Sequence, residues 1–161
     1  LSWPTADDAT VAAWVYMDDQ VGTRRIFDKD GNEIVSVGAE IGFQITGGIG
    51  PPRTAISVGT WYLIVGWFDY VDGTNNKVEY QINAGAVRSV TTASEPTDGT
   101  DSLGIGAELS PAPASGFWNG RIDNAFFIRR VLTGRERGLI YNEGFGVDYE
   151  TLQRIIGGGI Q

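Results

Sequence analysis

The segment Thr10-Val11-Ala12-Ala13-Trp14-Val15-Tyr16-Met17 is apolar at odd and even positions alike, and it is rich in β-branched and aromatic residues. Neighbouring side chains of a strand point to opposite faces, so a strand of this composition has to be covered on both sides. It stops at the polar run Asp18-Asp19-Gln20. Beyond it the chain reads as short strands and turns. Arg24 to Asp28 and Glu33 to Val37 flank Lys29-Asp30-Gly31-Asn32, and Asp-Gly between two such runs marks a hairpin with a solvated turn. Ile41 to Thr46 is the next strand, closed by Gly47-Gly48-Ile49-Gly50-Pro51-Pro52. Trp61 to Tyr70 is the most hydrophobic strand, and Asp72-Gly73-Thr74-Asn75-Asn76 turns it back. Lys77 to Asn83 alternates cleanly, which predicts Val78, Tyr80 and Ile82 on the core face.

Thr91 to Asp101 and Ser110 to Gly116 read as exposed loops, with a short strand over Ser102 to Ala107 between them and strand again within Trp118 to Val131. Thr133-Gly134-Arg135-Glu136 is a capping box, so one short helix begins there, with Gly144 placed to end it. The 23 glycines suit an all-β chain with many turns, since helix interiors disfavour glycine. No linker or repeat divides the chain. The expected organisation is one domain over residues 1–146 and a tail over 147–161 whose Gly157-Gly158-Gly159 is flexible.

Composition excludes whole classes of chemistry. Without cysteine or histidine there is no disulfide, no thiol nucleophile, no Ser-His-Asp machinery and no imidazole metal ligand. A net charge of −8 argues against a nucleic-acid footprint and against a polybasic membrane anchor. The longest apolar run, Trp61 to Phe68, is far short of the roughly 20 residues a membrane helix needs, so no membrane insertion is expected. Phosphate loops, GxSxG elbows and alternating carboxylate strands of the glycosidase kind are absent from the sequence.

Residues 118–136, Trp-Asn-Gly-Arg-Ile-Asp-Asn-Ala-Phe-Phe-Ile-Arg-Arg-Val-Leu-Thr-Gly-Arg-Glu, resemble the closing signature of concanavalin A-like, laminin-G-like jelly rolls. That signature is aromatic-x-Gly-x-Ile-Asp, an apolar strand, then Arg-x-Leu-Ser/Thr-x-x-Glu opening a short helix. Its anchors here are Trp118, Gly120, Ile122, Asp123, Arg130, Leu132, Thr133 and Glu136. Ala13-Trp14-Val15 and Gly59-Thr60-Trp61 resemble two further family strand openings, and Ser102 to Gly106 resembles the strand before the signature. Tyr80 to Gly85 departs from the usual hairpin, and only nine residues precede Thr10 where the family has a leading strand. The resemblance implies a two-sheet antiparallel β-sandwich, a jelly roll with one short C-terminal helix. It places Trp14, Trp61 and Trp118 in the core, and Asp123 reads as a structural brace, partly buried against Arg130.

The implied function is a non-catalytic, lectin-like module, extracellular or on a cell or virion surface, that recognises glycan through rim loops. The alternative is a structural or decoration subunit whose faces bind neighbouring protein subunits. The short lead before Thr10 also suggests a chain that works as part of something larger. Trp67, Tyr70 and Tyr16 lie near strand ends, where a ring can reach the rim. Trp67, Tyr70, Asn75 and Asn76 are the candidate ligand-binding residues. Calcium is the one metal that this oxygen-rich residue set suits, with Asp18, Asp19, Asp28, Asp30, Asp69 and Asp72 as candidates. Asp28 to Glu33 misses an EF-hand register, because its glycine comes fourth where that loop needs it sixth.

Overall fold

A computed structural model describes residue 3, residues 6–110 and residues 112–157. Two antiparallel sheets of five strands form a sandwich. The first runs, edge to edge, β10 (Gly120–Ile128), β1 (Ala9–Met17), β6 (Trp61–Asp69), β7 (Asn76–Ile82) and β8 (Arg88–Thr92). The second runs β5 (Thr54–Ala55), β4 (Glu40–Gln44), β3 (Asn32–Val37), β2 (Thr23–Lys29) and β9 (Gly104–Ile105). The β2–β3 hairpin closes on Asp30 and Gly31, whose φ values of 55° and 78° are those the Asp-Gly pair predicts.

The doubly apolar β1 lies inside the first sheet, paired to β6 on one side and β10 on the other. Its inward residues Val11, Ala13, Val15 and Met17 join Ile64 and Phe68 of β6 and Val78 and Tyr80 of β7 in the inter-sheet core. Phe27, Ile34, Ile41 and Phe43 meet them from the second sheet. Gly66 lacks a side chain where the Phe43 ring crosses, and a Cβ there would collide with that ring. Trp3 fills the same core, 6.2 Å from Phe43 and 5.2 Å from Phe127, which no feature of the sequence had placed.

The outward residues of β1 and β6 make a second core. Ala12, Trp14, Leu63, Val65 and Trp67 are roofed by Leu132, Ile140, Leu152 and Ile155. Leu132 lies one residue before the N-cap Thr133 of α1 (Gly134–Tyr141), which carries Ile140, while Leu152 and Ile155 belong to α2 (Tyr149–Ile156). The capping box starts α1 as expected, but Asn142 at φ 45° ends it before Gly144 is reached. The segment read as a tail carries α2, capped by Asp148 and with Leu152 and Ile155 three apart on its buried face. Gly158 and Gly159 lie outside the described residues. Arg130 ties the two helices together, donating to both Glu136 oxygens at 3.0 and 2.7 Å and to the Ile156 carbonyl at 2.9 Å.

Two loops differ from their expected solvated character. Residues 97–101 dock on the β2–β3 turn, where the buried Lys29 reaches the Gly99 carbonyl at 2.9 Å and pairs with Asp30. Asn32, also buried, donates to the carbonyls of Lys29 and Thr97. Thr91 and Thr92 belong to β8 rather than to the loop.

Candidate functional site

Five side chains stand in two successive rows on the helix side of the first sheet. In one row Asp123 of β10 pairs with Trp14 of β1; in the next, Arg121 pairs with Tyr16, and Tyr16 with Trp61 of β6. In the first row Trp14 is roofed. Tyr141 stacks on Trp14 at 5.9 Å, and a Cβ on Gly146 would stand 3.3 Å from the Trp14 indole nitrogen. The second row is open: Trp61 is 39% exposed, 5.6 Å from Tyr16, whose other neighbour is the Arg121 guanidinium at 4.5 Å.

Where the roof stops, a pocket of about 330 Å³ opens, lined by Trp14, Trp61, Asp123, Asn124 and the segment Gly144 to Val147. Phe145 stands at its edge and is 87% exposed. Its loop is backbone-strained, since Asn142, Glu143, Gly144 and Gly146 all have positive φ, two of them without glycine's freedom. Asn142 holds the loop shut through the Gly146 carbonyl at 2.7 Å, and Asn124 through that of Val147 at 3.2 Å. Exposed rings beside a carboxylate and an amide form the mixed lining that orients a small polar ligand with apolar faces.

Several expectations are corrected here. Trp61 has the outward parity of Leu63, Val65 and Trp67, but the helices end before reaching it, so it is surface and not core. Asp123 is exposed at the pocket and braces nothing against Arg130, which is taken by Glu136. Trp67 is no rim residue: it is 3% exposed, donates to Glu79 at 2.7 Å and lies 4.3 Å beneath the Arg137 guanidinium. Asn76 is fully buried, its carbonyl oxygen accepting the Val71 and Gly73 backbone N–H groups. Tyr70 packs against the main core, and Asn75 alone of the four ligand candidates is exposed, held by Asp72. Tyr70, Asn75 and Asn76 sit at the far end of β6, roughly 25 Å of strand from Trp61.

The six carboxylates proposed for calcium are dispersed, and among the described residues no three acidic groups are placed to share an ion. Asp19 pairs with Arg24 and accepts from Asn119, Asp72 caps its own turn, Asp69 faces Lys77, and Asp30 is held by Lys29. Asp18 is exposed.

Asp28 is buried opposite Glu33 on the outer face of the second sheet, an arrangement the linear spacing did not suggest. Burial, then the nearby Glu108, pushes Asp28 up from the ordinary carboxylate range. Burial also holds Glu33 up at about 7, outweighing the Arg25 guanidinium that pairs with it. Gln44 donates to the other Glu33 oxygen at 2.6 Å and accepts from Arg53 at 2.7 Å. With both oxygens engaged and its side chain 5% exposed, Glu33 belongs to a closed lattice, not to an open acid–base pair.

The jelly-roll geometry has clear counterparts. A Bacteroides ovatus protein provisionally described as carbohydrate-binding superposes with a TM-score of 0.69 at 14% identity, over 90% of this chain and 43% of its own. A heptameric SAP-like pentraxin from Limulus polyphemus gives 0.56 at 15%, over 86% and 71%. The binding domain of botulinum neurotoxin DC, in complex with rat synaptotagmin II, gives 0.57 at 8%, over 86% and 36%. The chain therefore spans less than half of the first and third of these proteins. No curated protein matches it in sequence. The Laminin_G_3 pattern covers residues 1–136, and the chain belongs to that family of the Concanavalin A-like lectin/glucanases superfamily.

Proposed function

We propose that the chain is a lectin-like saccharide-binding module whose site is the pocket between Trp61, Asp123 and Phe145. One observation carries the reading: where the helical roof ends, exposed aromatic rings stand beside a carboxylate and an amide around a volume that suits one or two sugar rings. Sugar C–H faces pack on rings while Asp and Asn take hydroxyl hydrogen bonds. The carbohydrate-binding description of the B. ovatus neighbour supports the same reading. The site sits on a strained loop and on the stretch of β10 where its register with β1 shifts between Asp123 and Phe126, in place of the rim-loop residues that the sequence suggests. The role is binding without turnover, and it fits an extracellular, cell-surface or virion-surface setting. No described helix is long and apolar enough to cross a membrane.

A glycan array with and without calcium is the direct test. Binding that Trp61→Ala and Phe145→Ala abolish, with the melt retained, is the expected result. Calcium dependence would show that one of the dispersed aspartates contributes a metal site. No glycan bound in either condition would overturn the reading.

A second reading rests on a different observation. Among the described residues β10 is a nine-residue strand paired on one side only, with Ile122 and Phe127 half-buried along it. Such an edge fits a structural subunit whose neighbour adds a strand. Sedimentation distinguishes it, since self-association or rescue by a partner supports an assembly role and a stable monomer counts against it.

A further inference from the structure

We infer that the pocket selects saccharides bearing a free, protonated amine, an amino sugar over its N-acetylated or neutral counterpart; the inference rests on the saccharide reading above. Asp123 is the charged side chain of the lining. Its Oδ1 accepts the Asn124 backbone N–H at 2.8 Å, and among the described residues its Oδ2 has no partner. Arg121 lies two residues away on the same strand, yet its guanidinium rests over Tyr16 outside the lining and makes no ion pair with Asp123 among the described residues. The pocket therefore keeps an unneutralised carboxylate.

Beside that carboxylate stand two exposed aromatic side chains, Trp61 and Phe145, with the roofed Trp14 behind them. The negative faces of aromatic rings attract cations, and a carboxylate bonds an ammonium far better than a neutral hydroxyl. A sugar ammonium satisfies both features at once, while the sugar ring supplies the apolar face that the rings need. The net charge of −8 acts in the same direction at long range, drawing cationic ligands and repelling acidic saccharides.

The test uses matched pairs: short oligomers of glucosamine and galactosamine against their N-acetylated forms, at mildly acidic pH where the amines are charged. Tryptophan fluorescence and NMR titration of the full chain read the affinity. The amino forms should bind about tenfold tighter, as a charge-assisted contact predicts. Asp123→Asn should erase that difference, bringing the amino and acetylated forms to equal affinity whatever the variant costs both in shared hydroxyl contacts. Asp123 is exposed, so the variant should melt like the parent. Added salt should narrow the difference in the unaltered chain as an independent readout.

Equal affinity for both forms, a preference for the acetylated forms, or a difference that survives Asp123→Asn overturns the amine selection and leaves the saccharide reading standing. Binding of neither form, nor of any neutral glycan, overturns both. Tetramethylammonium binding as tightly as the oligomers would make this an organic-cation pocket and overturn the amino-sugar assignment.

Discussion

The two outer faces of the sandwich solve the same problem in opposite ways. On the first sheet, Ala12, Trp14, Leu63, Val65 and Trp67 form an apolar face that two helices cover. On the second, Arg25, Glu33, Gln44 and Arg53 cover their own strands with a chain of ion pairs and hydrogen bonds. A roof made of helices has an end, and at that end rows of the sheet emerge beside it, leaving a recess lined by rings. A lattice of side chains has no such step. The difference explains why the open pocket lies on the helix side, while the buried carboxylates of the other face stay engaged with their neighbours.

The comparison can be broken or sharpened by measurement. The largest effect belongs under the roof. Trp67→Ala should cost about 3–5 kcal/mol in urea unfolding, because it removes a buried ring together with its bond to Glu79. A loss below about 1 kcal/mol would show that the helices do not seal that face.

The two faces should also respond to pH with opposite sign. Folded Glu33 keeps its proton to about 7, against an ordinary 4.5, so the folded state binds more protons in that window. Stability should therefore fall by about 2–3 kcal/mol as pH rises from 4.5 to 7, and Glu33→Gln should remove that slope. Glu136 behaves in reverse. Arg130 and the helix N-terminal N–H groups hold it at about 2, so its contribution is complete above 4.5 and is lost as pH falls towards 2. This pair is partly solvated, so about 1 kcal/mol is expected, and Glu136→Gln should flatten the acid limb. Slopes of the same sign in both variants would remove the contrast between the faces.

The smallest stability effect is expected at the pocket. Trp61→Ala should shift stability by no more than about 1 kcal/mol while removing saccharide binding, since the ring lies outside both cores and is 39% exposed. A loss as large as that of Trp67→Ala would return Trp61 to the core.

Much of this was legible in the chain itself. The doubly apolar Thr10–Met17 run demanded cover on both sides, and β1 has an inter-sheet core on one face and helices on the other. The Asp30-Gly31 turn, the alternation of β7 and the Thr133–Glu136 capping box formed as local rules require, because each is decided within a few residues. The site was far less legible. Trp61 and Trp67 are both aromatic residues of one strand with the same parity, and no local rule distinguishes them. Asn75 and Asn76 are adjacent turn asparagines, yet one faces water and the other is sealed by backbone N–H groups.

Sequence alone thus determined the all-β class, the hairpins, the start of the first helix and the exclusion of thiol and imidazole chemistry. Those depend on residue type and on spacings of two to four positions. Only the tertiary structure decided which rings meet solvent, that Asp123 faces a pocket, and that Asp28 and Glu33 share a buried face. Exposure is set by where the covering element ends. For the pocket, that element is a strained turn more than 80 residues away from Trp61 along the chain.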